Sequence, residues 1–286
     1  MANKFVRGLG ILIGVVLAIV VAIVGLIYFV SWRQLSKSYD VTPASLVVPS
    51  DSAAIARGRH LSIARLGCSD CHAADLGGQV AIDAMPFGRF VPTNLTPGGV
   101  GGTYTDADWV RAIRNGVRPN GSPLVFMPSH SLSHLGAEDL GAVIAYVKSV
   151  PAVTRDLPPS SVGPIGRMLM ATGKVPLIAA RVIDQKAPIP QAPPEGVTAE
   201  YGGYLVATGG CRDCHGPSLS GGKIAGGPDD PPAKNITPTG IGQWSEADFL
   251  RALRQGTRPD GTPINQFMPW KSMGKMTDDE LRAIFS

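Results

Sequence analysis

The stretch GCSDCHAADLGG, residues 67–78, holds two cysteines separated by two residues, with His72 directly after the second. The same pattern recurs as GCRDCHGPSLSGG at residues 210–222. The two motifs use all the cysteines of the chain: Cys68, Cys71, Cys211 and Cys214. Cys-x-x-Cys-His is the attachment signature of c-type haem, in which two thiols become thioethers and the histidine binds the iron. The sequence therefore predicts two covalently bound haem c groups, with His72 and His215 as iron ligands.

Other cysteine chemistry fits the spacing less well. Paired Cys-x-x-Cys motifs of a zinc site ordinarily lie about 12–20 residues apart, whereas Cys68 and Cys211 are 143 positions apart (211 − 68). A thioredoxin-like redox pair requires a βαβ context, and the sequence shows none. No cysteine remains for a structural disulfide.

The two motifs belong to a longer internal repeat. RGRHLSIARLGCSDCH at residues 57–72 matches YGGYLVATGGCRDCH at residues 201–215 with one residue of slippage. YTDADWVRAIRNGVRPNGSPL at residues 104–124 matches WSEADFLRALRQGTRPDGTPI at residues 244–264. We therefore expect two copies of one small domain.

The repeat divides the chain into four segments. We predict an anchor and stalk over residues 1–50, domain 1 over 51–150, a linker over 151–198 and domain 2 over 199–286. Each copy reads as short amphipathic helices joined by loops rich in glycine and proline, without an alternating strand pattern. The predicted fold class is all-α, with a transmembrane helix ahead of two haem domains.

The capping residues of one repeated helix can be read directly. Thr105 and Ser245 are good N-cap residues, with Asp108 and Asp248 three positions later. The following helix is expected to end at a glycine in each copy.

The N-terminus predicts a membrane anchor. No charged residue occurs from Gly8 to Val30, and this run is long enough to span a bilayer, which takes about 20 residues. It exceeds the roughly 7–15 apolar residues of a cleavable signal sequence, and no cleavage signal follows it. Because haem c is attached outside the cytoplasmic membrane of bacteria, we expect one span in the inner membrane and both haem domains on the periplasmic side.

The charge distribution argues against nucleic acid as a partner. The formal net charge is +4. The excess lies in the flanks of the anchor and in the linker, and neither haem domain carries a basic patch.

Two methionines at matched positions are the candidates for the sixth iron ligands. Met127 and Met268 each lie in the triplet FMP. A thioether ligand raises the reduction potential of a haem. Three rival ligands in the first copy have no counterpart in the second and are predicted to be surface residues: Met85, His130 and His134.

Four further repeated residues have two open interpretations. Arg118 and Arg258 lie in RPNG and RPDG turns, and Asn94 and Asn235 open NLTP and NITP turns. These side chains either stabilise the turns or bind a haem propionate, and the sequence does not distinguish the two roles.

The linker carries an apolar stretch, GPIGRMLMATGKVPLIAARVID at residues 163–184. Pro164 is expected to begin a short helix and Pro176 to interrupt one. Arg167, Lys174 and Arg181 recur every seven residues. This segment is expected to lie either against a partner or the membrane surface, or between the two haem domains.

Both copies resemble class I cytochrome c domains. The stretch NITPTGIGQWSEADFLRALRQGTRPDGTPI followed by FMPW is similar to the membrane-anchored cytochrome c subunits of bacterial periplasmic dehydrogenases that act on alcohols, aldehydes and gluconate. The resemblance covers roughly residues 53–150 and 199–286. It implies axial pairs of His72 with Met127 and of His215 with Met268.

The resemblance also implies a function. In that family the subunit is not the enzyme; it takes electrons from a catalytic partner and passes them to quinone or another carrier. The chain departs from the family by having two haem motifs rather than three and an anchor at its front. Two alternatives remain: a cytochrome subunit of a terminal oxidase or photosynthetic reaction centre, and a dihaem peroxidase. The matched methionines disfavour the peroxidase, which needs an open iron position.

The end of the chain raises a further expectation. In class I cytochromes c the last helix crosses the first helix. The counterpart of YVKSVP, residues 146–151, is absent from the second copy, because Ser286 aligns with Ala145. We expect that the polypeptide continues beyond Ser286, because the pattern breaks within a helix without a glycine or proline stop signal; closure of domain 2 by another element is the alternative.

Overall fold

A computed structural model describes residues 2–173, 175–223 and 231–286. Lys174, the middle residue of the predicted stripe of linker charges, lies outside the described residues. The structure is mostly helical, with an N-terminal apolar helix followed by two haem domains, which confirms the predicted fold class. The N-terminal apolar helix is α1 Ala2–Leu35. The helices of domain 1 and the linker come next: α2 Ser52–His60, α3 Cys68–His72, α4 Asp106–Asn115, α5 Ser129–Leu132, α6 Ala137–Ser149 and α7 Pro164–Thr172. Those of domain 2 are α8 Ala199–Thr208, α9 Cys211–His215, α10 Pro238–Ile241, α11 Glu246–Gln255, α12 Trp270–Met273 and α13 Asp278–Phe285.

Helix α1 contains the uncharged run. Its side chains are exposed over nearly the whole apolar stretch. Within the described ranges, it is the one helix whose length and composition would allow it to cross a membrane.

The predicted caps form in both copies. Thr105 and Ser245 each accept a hydrogen bond from the N–H of the aspartate three residues later, and the carboxylate of each aspartate accepts one from the backbone N–H of the cap residue. At the other end Gly116 and Gly256 adopt φ values of 70° and 65°, the left-handed conformation that glycine adopts without strain. The repeated motif therefore produces the same helix, α4 and α11, in each domain.

The first and last helices of each domain cross at a glycine. A Cβ atom on Gly58 of α2 would lie 1.8 Å from the carbonyl oxygen of Ala142 in α6. A Cβ atom on Gly202 of α8 would lie 1.8 Å from the carbonyl oxygen of Ala283 in α13. Only glycine permits so close an approach, so the crossing is a second feature that the repeat reproduces.

Helix α13 therefore makes the closing contact of domain 2 itself. The short helix already crosses α8, and continuation of the polypeptide beyond Ser286 stays a prediction. Helix α13 is stabilised by a capping box between Thr277 and Glu280. Leu281 is fully buried against the core of domain 2.

A small antiparallel sheet adds to the helical fold. Strands β1 Ile82–Ala84 and β2 Gly88–Phe90 form a hairpin, and β3 Ser161–Val162 of the linker pairs with β2. The sequence predicts no strand here, because segments of two or three residues are too short to show an alternating pattern.

The linker runs along domain 1 and α1. The N–H of Val153 donates to Thr96 Oγ1 at 2.9 Å, and Arg155 pairs with Asp75 at 2.7 Å. Helix α7 begins at Pro164, as predicted, and ends before Pro176. It packs against α1, where Arg167 donates to Ser31 Oγ at 3.0 Å.

Candidate haem sites

The two attachment motifs form matching single-turn helices, α3 and α9. Each begins after a glycine in the left-handed conformation, with φ of 60° at Gly67 and 71° at Gly210. The histidine that ends each helix is buried, whereas the four cysteines are partly buried and form no disulfide. Burial raises the pKa of the free Cys68 thiol to about 12 and that of Cys211 to about 11, and haem attachment converts both thiols into uncharged thioethers.

Each motif histidine is oriented by a backbone carbonyl. His72 Nδ1 lies 2.8 Å from the carbonyl oxygen of Thr93, and His215 Nδ1 lies 2.7 Å from that of Lys234. A carbonyl can only accept, so each Nδ1 carries the proton. The other nitrogen, Nε2, keeps its lone pair for a metal ion. Burial lowers the pKa of His72, and the hydrogen bond to the Thr93 carbonyl only partly opposes this effect. The lowered pKa favours the neutral imidazole that an iron requires.

The two predicted asparagines hold these carbonyls in position. Asn94 Oδ1 accepts from the N–H and the hydroxyl of Thr96, at 2.9 and 2.8 Å. Asn235 Oδ1 accepts from the same two groups of Thr237, at 2.9 and 2.7 Å. Both side chains thus stabilise the turn that directly follows the carbonyl bonded to the histidine. Contact of these amides with a propionate stays a prediction.

The two predicted arginines also serve their turns. Arg118 Nη1 donates to the carbonyl oxygen of Pro123 at 2.5 Å, and Arg258 Nη1 donates to that of Pro263 at 2.7 Å. A guanidinium has five N–H groups, so donors remain for a propionate on each arginine. That second role stays a prediction.

The candidate methionine ligands occupy equivalent loops. Met127 is partly buried and packs against the main hydrophobic cluster of domain 1, which Cys68 also borders. Met268 packs in the same way against the cluster of domain 2. The N–H two residues later, of Ser129 or Trp270, donates to the methionine carbonyl at 2.8 Å in both copies. Axial ligation by these sulfurs stays a prediction.

The rival ligands lie elsewhere. The side chain of Met85 is 67% exposed at the turn of the β1–β2 hairpin. His134 is exposed, as predicted. His130 is half-buried, and its Nε2 lies 2.9 Å from Asp213 Oδ1 in domain 2, so its ring is engaged in a contact between domains.

Buried indole groups in each domain fit the polar edge of a haem. Trp109 Nε1 and Trp270 Nε1 are buried and have no hydrogen-bond partner within the part of the chain that the structure describes. Both rings belong to or pack against the hydrophobic cluster of their own domain, as does the candidate methionine. A haem combines an apolar ring with two carboxylates, so uncrosslinked thiols, an oriented imidazole and an unpaired N–H donor suit this group.

The haem motif of each domain is hydrogen-bonded to the methionine loop of the other. Ser272, four residues after Met268, donates to Asp70 Oδ1 at 2.7 Å. Ser131, four residues after Met127, donates to Asp213 Oδ2 at 3.1 Å. Asp70 and Asp213 are equivalent in the repeat, as are Ser131 and Ser272. The two domains are therefore related by an approximate twofold rotation that brings their haem motifs to a shared interface.

A second reciprocal pair supports this symmetry. His60 Nε2 lies 2.8 Å from Glu280 Oε2, and the hydroxyl of Tyr204 donates to Asp139 Oδ2 at 2.6 Å. His60 aligns with Tyr204, and Asp139 aligns with Glu280. Sequence reasoning missed all four contacts. The repeat aligns the residues, but alignment alone does not reveal that they contact across a domain boundary.

Comparison with known proteins identifies both domains. The family model described as "Cytochrome C oxidase, cbb3-type, subunit III" matches residues 53–147, and the model described as "Cytochrome c" matches residues 199–286. The chain belongs to the c-type cytochromes, with two cytochrome c domains and hence two covalently bound haem c groups, which confirms the predicted cofactors.

Several curated proteins similar to this chain are named as cytochrome subunits of dehydrogenases. The cytochrome c subunit of a quinone-dependent alcohol dehydrogenase from Gluconacetobacter polyoxogenes is 32% identical over 270 residues, covering 82% of this chain and 55% of the relative. The cytochrome subunit of fructose dehydrogenase from Gluconobacter japonicus is 30% identical over 237 residues, with coverage of 76% and 47%. A gluconate 2-dehydrogenase cytochrome c subunit from Pantoea cypripedii is 37% identical over 95 residues, with coverage of 30% and 21%. The chain spans about half the length of the first two relatives.

Proposed function

We propose that this chain is a membrane-anchored dihaem electron-transfer subunit that receives single electrons from a periplasmic dehydrogenase and passes them to another carrier. The observation that carries the proposal is the duplicated site, in which each haem motif is hydrogen-bonded to the methionine loop of the other domain. A pair of sites joined in this way suits transfer within one chain.

The proposal assigns His72 with Met127, and His215 with Met268, as the axial pairs. When bound, haem c supplies reversible one-electron exchange at its iron. The chain holds each imidazole through a carbonyl and buries both histidines. This burial would limit the access of water to a bound haem. Two filled axial positions also disfavour a peroxidase.

The proposed location is the periplasmic side of the bacterial inner membrane. Helix α1 is exposed along its uncharged run, as expected of a helix that contacts lipid. Covalent attachment of haem outside the cytoplasm requires both domains to lie on that side.

The relatives favour a dehydrogenase as the electron donor. They are named as cytochrome subunits of alcohol, fructose and gluconate dehydrogenases. The family model over domain 1 takes its description from an oxidase subunit. The relatives that align with both domains, however, are dehydrogenase subunits, which supports the dehydrogenase over an oxidase or a reaction centre.

Co-purification and substrate-dependent reduction test the proposal. The full chain, tagged at its C-terminus, is captured from membranes solubilised in mild detergent, and the accompanying proteins are identified by mass spectrometry. Alcohols, fructose, gluconate and aldehydes are then added one at a time while the haem c absorption is followed. We expect a dehydrogenase in the complex and haem reduction by its substrate. Capture of an oxidase or reaction centre, without reduction by any substrate, would contradict the proposal.

A further inference from the structure

A groove lies beside the end of α1, where the predicted membrane span meets domain 1. Its volume is about 810 Å³. The lining combines apolar rings of α1 with cations: Phe29, Trp32, Arg33, Lys37, Tyr39 and Arg181. The described residues that line it include no acid, so the groove suits an anion with an apolar portion.

Two buried polar atoms at this groove have no partner in the described ranges. These are Gln34 Oε1 and the hydroxyl of Tyr39. A buried hydroxyl without a hydrogen bond is costly, so its presence favours a ligand that accepts from it. The ammonium of Lys37 lies 4.6 Å from the centre of the Tyr39 ring, which keeps a cation next to the hydroxyl.

The cations of the groove are available for a ligand. Arg33, Lys37 and Arg181 form no salt bridge within the described part of the chain. Among the residues that the structure describes, the guanidinium of Arg181 donates only to the carbonyl of Met170, at 3.5 Å. Three unpaired cations around one groove favour an anionic ligand such as a phosphate group.

The position of the groove along α1 indicates a lipid as the source of that phosphate. The uncharged run ends at Val30, and Arg33 follows about 4.5 Å further along a helix that rises 1.5 Å per residue. The headgroup layer begins at the edge of the hydrocarbon core and is several ångströms thick. Arg33 therefore lies at headgroup level when the uncharged run spans the bilayer.

Helix α7 fixes domain 1 against this part of α1. Arg167 donates to Ser31 Oγ at 3.0 Å, and its guanidinium lies 4.9 Å from the centre of the Tyr28 ring. The exposed side chains of α7 include Ile165 and Met168, each 42% exposed. Close to the N-terminus of α7, the N–H of Ile165 donates to the carbonyl of Pro86 in the β1–β2 turn. An apolar surface thus adjoins the span, as expected for an element that rests on a membrane.

We propose that this groove binds the phosphate headgroup of an anionic phospholipid, with its acyl chain along Phe29 and Trp32. Arg33, Lys37, Arg181 and the hydroxyl of Tyr39 would hold the phosphate. The bound lipid would set the orientation of domain 1 on the membrane. The inference rests on the membrane anchorage in the proposed function, but not on the identity of the electron donor.

Native mass spectrometry of the full holoprotein in detergent tests the site. The wild type is titrated with phosphatidylglycerol and, separately, with phosphatidylcholine. The groove variant combines Lys37→Gln and Arg181→Gln. The matched control combines Lys186→Gln and Lys275→Gln, which remove the same charge at exposed positions away from the groove.

We expect the wild type to bind phosphatidylglycerol in preference to phosphatidylcholine. Each lost cation should weaken the binding about fivefold, so the groove variant should bind roughly 25-fold more weakly, whereas the control should be unchanged. Equal binding of both lipids, or an unchanged groove variant, would overturn the proposal. Displacement of the lipid by inorganic phosphate or by a neutral quinone analogue at similar concentration would also overturn it, because the site would then select a soluble anion or a quinone.

The two proposals fail in distinguishable ways. Lipid binding needs no electron donor, so a failed search for a dehydrogenase leaves this measurement intact. Recovery of the wild type from the soluble fraction without its N-terminal residues would instead remove the anchor on which the lipid site depends.

Discussion

The two haem domains share their local motifs but differ in what surrounds them. Arg114 of α4 and Arg254 of α11 are equivalent in the repeat. Arg114 is only 3% exposed, because the linker covers it, and it donates to the carbonyls of Ala187 and Pro188. Arg254 is exposed and pairs with Asp278 of its own domain. The same face of the fold is thus covered by the linker in domain 1 and exposed in domain 2.

This contrast separates what the repeated motif determines from what the rest of the chain adds. The cap, the haem motif and the helix crossing depend on residues within about a hundred positions and appear in both copies. The cover over α4 comes from the linker and exists once. The face of α11 around Arg254 is therefore exposed, whereas the equivalent face of α4 is covered.

A second difference is one extra residue in domain 1. After α2 the chain forms a π-helical turn over Leu61–Arg65, in which the N–H of Leu66 donates to the carbonyl of Leu61. The turn absorbs the one-residue slippage in the repeat and places Arg65 at the domain interface. There Arg65 is 4% exposed and lies 3.6 Å from Asp139 and 3.8 Å from Glu280. The insertion supplies a buried cation between two acids at matched positions, one from each domain.

The largest expected effect concerns the axial methionines. Met127→Ala and Met268→Ala should each remove the sulfur-to-iron charge-transfer band of one haem. Each should lower the potential of that haem by about 0.1–0.3 V, a fraction of the ~0.8 V range that axial ligands span. Potentiometric titration with absorption spectroscopy measures both changes.

The exposed Met85 provides the control for these variants. Met85→Ala should leave both haems unchanged. A shift in only one of the two ligand variants would show that the domains do not share their iron ligation, whatever their common motifs.

Loss of the buried cation should have the next largest effect. Arg65→Met keeps the length of the side chain but leaves Asp139 and Glu280 facing each other without its charge. Removing one partner of a buried ion pair typically costs about 3–5 kcal/mol. The low end of this range is expected, because Asp139 keeps its 2.6 Å pair with Arg57 and Glu280 keeps its contact with His60. Denaturant unfolding of the holoprotein should reveal this loss, and Arg59→Met, at an exposed cation of α2, should change stability by less than about 0.5 kcal/mol. An effect no larger than that of the control would show that the inserted residue does not hold the domains together.

The helix crossing comes third. Gly58→Ala and Gly202→Ala both introduce a Cβ atom 1.8 Å from a backbone oxygen, so helices α2 and α8 must move away from their partners. We expect each to cost about 3 kcal/mol, at the upper end of the usual overpacking penalty. Gly203→Ala is the matched control, since its Cβ would meet no atom within 4 Å and should stabilise α8 by about 0.5–1 kcal/mol. Thermal unfolding distinguishes the three variants, and unequal losses at Gly58 and Gly202 would separate the packing of the two domains.

Much of the fold can be predicted from the sequence because its signals are local. The spacing from Cys68 to His72 predicts the cofactor, and Thr105 with Asp108 predicts the start of α4. Each feature depends on side chains within a few positions, where residue type and spacing determine the chemistry.

The remaining features depend on groups that carry no sequence signal. The carbonyls of Thr93 and Lys234, which orient the histidines, are backbone atoms that any residue would supply. The slippage near Arg65 was visible in the alignment, but a loop and a π-turn both accommodate one extra residue. The contact of Ser272 with Asp70 spans a domain boundary, and only the folded arrangement identifies it.

The smallest predicted effect is a pH dependence at the interface. Burial alone would raise the pKa of Glu280, but hydrogen bonds from His60 and the Thr277 N–H, together with the charge of Arg65, outweigh it and hold the pKa below its ordinary value. A carboxyl with a depressed pKa stabilises the fold above the pKa of its unfolded state, about 4.5, and this contribution is lost as pH falls through the folded value. Glu280→Gln should therefore be less stable than the wild type by about 1–2 kcal/mol at pH 7. The difference should shrink between pH 5 and pH 3. Unfolding free energies across this range measure it, with Glu138→Gln, at an exposed acid of α6, as the control that should show no such trend. A difference in unfolding free energy that stays constant down to pH 3 would show that Glu280 stabilises the interface by its packing and not by its charge.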